Sequence, residues 1–220
     1  MLVVSGQSYC AAHLLICSAV ALSSVGASDF MEIETLEEND KKLRFRLKGA
    51  SSGTVNALRR AAINSVMTFA IDSVTVYENT SAMFDEYIAH RVGLVPIITP
   101  SKGYTDEDEI LFSLDATGPA TVYSKDLESR DKEVKVAVEG IPIMKLGKEQ
   151  RLRLEGKAKL GTALKHAKFQ PGLATFDESN GSYDFSVETF GQMPPREIVN
   201  KACEAIKEHI KDAEKFAKKL

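Results

Sequence analysis

The feature that most constrains this chain is the helix pattern at its C-terminal end. Pro194-Pro195 opens it, and the second proline suits a first helical position, where an N–H would have no intrahelical partner. From there Val199, Ala202, Ile206, His209, Ala213, Phe216 and Leu220 recur at alternating three- and four-residue steps, the repeat of a coiled-coil seam. Ile198, Cys203, Ile210 and Ala217 widen this face beyond what a surface helix of a lone monomer needs. A face that broad has to be covered. His209 sits on the seam without a Cys or carboxylate cluster beside it, so a packed interface residue suits it better than a metal ligand.

The other informative stretch, residues 53–97, reads as a helix, a strand, a second helix and an apolar exit strand. In the first helix Val55, Leu58, Ala62 and Val66 share one face, while Asn56, Arg59, Arg60 and Ile63 share another. Arg59 and Arg60 point about 100° apart and cannot both occupy one narrow polar stripe, so at least one is expected to meet a partner. Ser81 is the expected N-cap of the second helix, with Asp85 and Glu86 favourable in its first turn and Met83, Phe84, Tyr87, Ile88 and Val92 as its stripe. Asn79-Thr80 is then the turn between strand and helix.

Elsewhere short strands dominate. Ile33–Leu36 and Leu43–Leu47 read as a hairpin, the second strand alternating Leu43, Phe45 and Leu47 against Arg44 and Arg46. Ser51, Ser52 and Thr54 are the alternative caps of the helix that follows. Ile110–Leu114, Ala120–Tyr123, Val134–Val138 and Leu152–Leu160 are strand candidates bounded by Gly, Pro and Asp. Tyr183–Thr189 is another, with Tyr183, Phe185 and Val187 on one face. The acidic run Asp106-Glu107-Asp108-Glu109 reads as a solvated loop rather than a cation site, because its carboxylates lack the spacing of a calcium loop.

With 220 residues, 44% hydrophobic and 27% charged, the chain has the composition of a soluble globular protein large enough for one large or two small domains. Lys+Arg 28 against Asp+Glu 31 leaves a net charge of -3, which gives the whole protein no basic footprint for DNA, though a local patch remains open. Cys10, Cys17 and Cys203 form neither a disulfide framework nor a metal knuckle, as expected of a reducing, cytoplasmic setting. Residues 1–30 have no Lys or Arg and an interrupted apolar stretch around Leu14-Leu15-Ile16. One reading is a signal peptide cleaved near Val25-Gly26-Ala27, which lacks its cationic start. The preferred reading is that the folded protein begins at Met31. The stretch is too short and broken for a membrane span.

Asn56-Ala57-Leu58-Arg59-Arg60, followed at fixed separations by Ala70, Val74, Asn79, Ser81, Asp85-Glu86, Ile88-Ala89 and Arg91, closely resembles the signature of the D-subunit family of archaeal DNA-directed RNA polymerases. The eukaryotic third-largest subunits and, more distantly, the N-terminal domain of the bacterial alpha subunit share that signature. Val92 departs from it by one methylene. His166-Ala167-Lys168-Phe169-Gln170-Pro171 resembles a further family segment, although Gly161-Thr162-Ala163-Leu164 ahead of it match less well. The resemblance implies an α+β fold with a discontinuous dimerisation domain, a sheet plus two amphipathic helices, from residues 31–67 and 181–220. A β-rich inserted domain is expected over residues 68–180. It also implies a non-catalytic assembly subunit that pairs with a small subunit L and carries the large catalytic subunits and two small ones, with DNA reached only through the complex.

On that reading Arg59 and Arg60, with Asn56, Asp85, Glu86 and Arg91, are candidates for partner contact. Leu58, Val199, Ala202, Ile206 and Phe216 are candidates for the seam with L. His166 and Lys168 either contact a large subunit or sit in a turn whose lysines face water. Many family members carry an iron–sulfur cluster in the insert; its cysteines are absent here, so no cofactor is expected, and Thr99–Ile110 reads as a truncated remnant. No Walker-type glycine loop, Gly-x-Ser-x-Gly elbow or His-Glu-x-x-His pair occurs. Glu86 and His90 share a helix face but lack a third metal ligand, so a surface pair is the plainer reading. The rival functions are a stand-alone enzyme using Asp85, Glu86, His90 and Arg91 as acid–base groups, and a self-sufficient homodimer.

Overall fold

Along the chain, β1 (Glu32–Glu38) and β2 (Lys42–Lys48) are followed by α1 (Ser52–Asn64), β3 (Thr68–Asn79), α2 (Asp85–Gly93), β4 (Ile110–Thr117) and β5 (Ala120–Tyr123). Then come β6 (Glu128–Ser129), β7 (Pro142–Leu146), β8 (Arg151–Gly161), β9 (Gly172–Ser179), β10 (Ser182–Thr189) and α3 (Pro195–Ala217). The computed structural model describes residues 31–101, 103–105 and 107–219. What the sequence suggests for residues 1–30, Asp106 and Leu220 lies outside the described residues.

The two ends of the chain build one sheet of order β1-β2-β10-β9. Its central pair is long-range and antiparallel, with Phe45 directly opposite Phe185 and their rings stacked at 5.1 Å. The alternation read from β2 and β10 sends Leu43, Phe45, Leu47, Tyr183, Phe185 and Val187 into a core that α1 and α3 cover. On the opposite face Arg46 grips Asp184 through two hydrogen bonds of 2.6 and 2.9 Å. Of the three candidate caps of α1, Ser51 is the one used, accepting from Thr54 N at 3.2 Å. Pro195 takes the first position of α3, as its missing N–H favours.

The middle of the chain forms a second core around a sheet of order β3-β8-β4-β6 and the small β5-β7 pair. α2 packs on β3, burying Ile88 and Val92 among Phe69, Ile71, Phe112 and Leu154. Antiparallel sheets and, among the described residues, three α-helices make the protein α+β, with a β-rich insert between the halves of a platform.

Four local expectations differ from the structure. β9 falls within the range read as insert, yet it pairs along its whole length with β10, so the platform sheet resumes near Gly172 rather than at residue 181. Asn180 and Gly181 take φ of 51° and 72°, the two positive values of the tight hairpin turn that joins them. Val134–Val138 and the exit segment at Ile97 are not strands; they meet through one bridge, Ile97 to Val136, because Pro96 and Pro100 remove ladder donors on either side. β6 has only two residues, too few to register as an alternating run, and β7 opens on Pro142 and buries the adjacent Ile143 and Met144, which breaks the alternation. Ser81 does not cap α2, which starts at Asp85 behind Phe84. Its hydroxyl instead accepts from Met83 N and donates to Asn79 Oδ1, while Asn79 Nδ2 reaches Met83 O and Asp85 Oδ1.

Phe185 is 0% exposed and Phe216 is 66% exposed, so the two phenylalanines should respond oppositely to truncation. Phe185→Ala is expected to cost about 3–5 kcal/mol in chemical denaturation of the isolated chain, and Phe216→Ala less than about 0.5 kcal/mol.

Candidate partner interface

α1 and α3 lie side by side on the platform sheet, and α3 divides into two parts. Its first half belongs to the core: Ile198, Val199 and Ala202 are 1%, 6% and 0% exposed. The sequence pattern puts Val199 and Ala202 on the partner seam, but the seam is continuous with the intramolecular core, and the sheet claims its first turns. Ile206 and Ile210 are half-buried, and every described residue from Lys211 onward is exposed. The second half thus carries its apolar stripe past the edge of the core.

Between the helices runs a groove of ≈ 410 Å³. Ala57 and Ala61 floor it on the α1 side, Ile206, Ile210 and Ala213 on the α3 side, and the exposed Leu164 overhangs it. Small residues on one wall and aliphatic ones on the other make a seat for an apolar ridge. Leu58, the remaining seam candidate on α1, is half-buried against the platform core. Arg60 lines the groove and forms no ion pair among the described residues, whereas Arg59 is half-buried and donates to Asn56 Oδ1 at 3.2 and 3.0 Å. Of the two arginines, Arg60 is the one turned outward.

α2 presents a different surface. Phe84, Tyr87 and Leu94 are 70%, 64% and 49% exposed along one side of it, a large apolar stripe for so short a helix. Asp85, Glu86, His90 and Arg91 are all exposed or half-exposed there. They do not converge: Asp85 is held by the Asn79 amide and Arg91 donates to Pro142 O at 2.6 Å. A geometry of acid and base facing a common reacting atom is missing from this helix. Sequence spacing hides the aromatic stripe, because Phe84 and Tyr87 stand at helical intervals with Ile88 and read as core.

The His166–Pro171 segment divides its two candidate residues. Lys168 turns inward, its side chain 12% exposed, donating to Asp72 Oδ1 at 2.8 Å and Ile71 O at 3.1 Å and lying over the Phe169 ring. It clamps the returning chain to β3 and is not available to a partner. His166 stays exposed, its Nδ1 accepting from Lys168 N. Phe169 is fully buried beneath Gly161, where a Cβ would stand 2.8 Å from the ring, so the glycine is a packing requirement.

Residues 70–177 match the profile of the RNA polymerase Rpb3/RpoA insert domain. Over 177 residues the chain is 45% identical to the DNA-directed RNA polymerase subunit Rpo3 of Methanocaldococcus jannaschii, a match covering 80% of this chain and 88% of that relative. The chain belongs to the Rpo3 family of archaeal RNA polymerase subunits. The Rpo3 of Pyrococcus furiosus is 43% identical over 152 residues, and that of Natronomonas pharaonis 43% identical over 147. Those matches cover 58% and 59% of the relatives, which are longer than the stretch shared with this chain. The family profile thus spans most of the insert, and the match to the first relative is longer than that profile. Among the described residues no group of three or more His, Cys, Asp or Glu side chains stands together as a metal site, and the insert has no cysteine to hold an iron–sulfur cluster. Nor is any described helix long and apolar enough to cross a membrane.

The hydrogen bond from Lys168 holds the Asp72 carboxyl below the ordinary aspartate value. A depressed carboxylate stabilises the fold fully above its unfolded pKa, and that stabilisation is lost as the pH falls through the lower folded value. Asp72→Asn is therefore expected to cost about 1 kcal/mol at neutral pH, the pair being partly screened by solvent. The difference from wild type should vanish once the pH is well below the aspartate range, as followed by urea denaturation across pH.

Proposed function

We propose that this chain is the non-catalytic assembly subunit of a DNA-dependent RNA polymerase, pairing with a small subunit L through the α1–α3 groove and the projecting half of α3. The pair forms the platform on which the large catalytic subunits and two small assembly subunits gather. The observation that carries this reading is the split of α3, whose seam begins inside the chain's own core and continues, uncovered, beside an apolar groove. An apolar seam left wet is a cost that a second helix removes. Arg60, with its outward guanidinium, and the α2 stripe of Phe84 and Tyr87 face away from the core and suit the large subunits. With a net charge of -3 the subunit reaches DNA only through the complex. It works in the cytoplasm and holds no iron–sulfur cluster, since its one cysteine beyond residue 30, Cys203, lies in α3.

Acid–base chemistry on α2 finds no support, for the reasons of geometry given above. Co-expression with subunit L followed by size-exclusion chromatography tests the assignment. A one-to-one complex is expected, and Ile210→Asp, which puts a charge into the half-buried seam, should weaken it at least about a hundredfold. The isolated chain should show no turnover, and iron analysis of the anaerobically purified pair should find none. A wild-type chain that elutes alone in the presence of L would refute the pairing.

A further inference from the structure

β3 is an outermost strand of the insert sheet, and its free side is occupied over only part of its length. Phe69 N and Ile71 O both turn away from β8: Thr99 Oγ1 accepts from the first at 2.9 Å, and Lys168 Nζ donates to the second at 3.1 Å. In an antiparallel ladder the N–H and C=O of one residue leave the strand on the same side, and that side alternates along the chain. The bulge between Ile71 and Ser73 shifts the alternation by one residue. Beyond it the backbone groups of Ser73 and Thr75 meet β8, and those of Val74 and Val76 face outward. β3 pairs with no strand but β8, and no turn or side chain among the described residues reaches these outward groups. A second bulge, between Val76 and Glu78, ends the stretch, which holds no Lys or Pro of the kind that protects an open edge. The side chains of Val74 and Val76 are half-buried against the insert core, on the face that α2 covers. α2 reaches the rim of the strand, since a Cβ on Gly93 would stand 3.5 Å from Ile71 O. Glu86, two turns before Gly93 on the same side of the helix, is exposed and forms no ion pair among the described residues.

Resting on the assembly role proposed above, we infer that the free edge of β3 takes up an extended segment of a neighbouring polymerase subunit as an added strand. That strand bonds to the outward backbone groups of Val74 and Val76, and a Lys or Arg on it faces Glu86. A second copy of this chain does not fit the same edge. In an antiparallel pair of two such edges the strands stand about 4.8 Å apart, and both α2 helices lie on one face. Each helix reaches its own rim, whereas packed helices need about 8–10 Å between their axes. A lone extended segment brings no helix into that space. Its inward side chains continue the row of Val74 and Val76 beside the flank of α2, which suits β-branched apolar residues, and the unpaired carboxylate at that flank selects a cation. Main-chain bonds give this kind of docking its strength, and the alternate side chains give it its choice of sequence.

The test is hydrogen exchange read at single amides, on the free full-length chain and on polymerase reconstituted from purified subunits. In the free chain the Val74 and Val76 amides are expected to exchange at least about tenfold faster than those of Ser73 and Thr75, which β8 holds. In the assembled enzyme they should slow at least about tenfold. Val76→Pro deletes one outward N–H while leaving the β8 ladder intact, and it should abolish the slowing at Val74; Glu86→Lys, an exposed change, should weaken it. Slow exchange of both valine amides in the dilute free chain overturns the inference, because the edge is then not free. Protection that grows with the concentration of the free chain assigns the edge to a second copy and also overturns it. Exchange that is unchanged on assembly overturns the strand addition, while retention of the chain in the enzyme leaves the assembly role standing. Full protection in Glu86→Lys overturns the choice of a basic segment. A chain that does not enter the reconstituted polymerase defeats the assembly role, and this inference with it.

Discussion

Everything in this molecule depends on the pairing of β2 with β10. Arg46 and Asp184 are 138 residues apart in sequence, yet they sit opposite each other at the centre of the platform sheet, gripping through two hydrogen bonds while Phe45 and Phe185 stack beneath them. Neither end of the chain can make a core alone. β1 and β2 form only a hairpin, which is marginal without a covering layer, and α3 has no sheet to lie on until β10 arrives. Closing so long a loop costs entropy that only the completed core repays, so the platform and the insert it encloses stand or fall together.

The insert is tied to that platform where the chain leaves and returns, and the ties are polar. Of the four buried polar residues among the described residues, three, Thr68, Thr99 and Gln192, stand at this junction. Thr68 Oγ1 donates to Phe169 O, Phe69 N donates to Thr99 Oγ1, and Thr99 N donates to Gln192 O. Oriented with its nitrogen toward the return strand, the Gln192 amide donates to Gln170 O and Pro171 O. Satisfied buried hydrogen bonds are directional where apolar packing is not, so they fix an angle as well as a distance. The Asp72–Lys168 ion pair reinforces the same corner from outside. The consequence reaches the surface: the aromatic stripe on α2 and the groove between α1 and α3 are held at a set orientation to each other.

Elements with a clean period are legible in the sequence. β2, β10 and the helices show theirs over seven or more residues, and the platform can be drawn from the two ends. What escapes detection is decided by tertiary partners. β9 has the weak pattern Leu173, Ala174, Thr175, Phe176, and its one signal is Asn180-Gly181, a dipeptide that marks a tight hairpin but says nothing of how far the strand before it extends. Ser81 carries the right chemistry for a cap, but the Asn79 side chain organises the turn first, and a local competition of that kind leaves no periodic trace. Lys168 resembles a surface charge because nothing in the sequence announces Asp72, ninety-six residues away, as its partner. On α3, residue type and spacing mark one continuous apolar stripe. They do not say where along it the chain's own core ends, since burial by self and burial by a partner select the same side chains.

That shared selection explains why α3 is one helix and not two. The turns that pack Ile198, Val199 and Ala202 on the sheet hold the register and direction of the turns that follow, because a helix transmits both along its hydrogen-bonded axis. The projecting half, about 10 Å of helix from Lys211 to Ala217, is then presented in a defined pose by a core that is already closed. An isolated segment of that length would be largely unfolded in water and would have to order itself on binding. Anchored to the platform, the segment is ordered before any partner arrives, so the apolar stripe that is excessive in the monomer is already held in one pose.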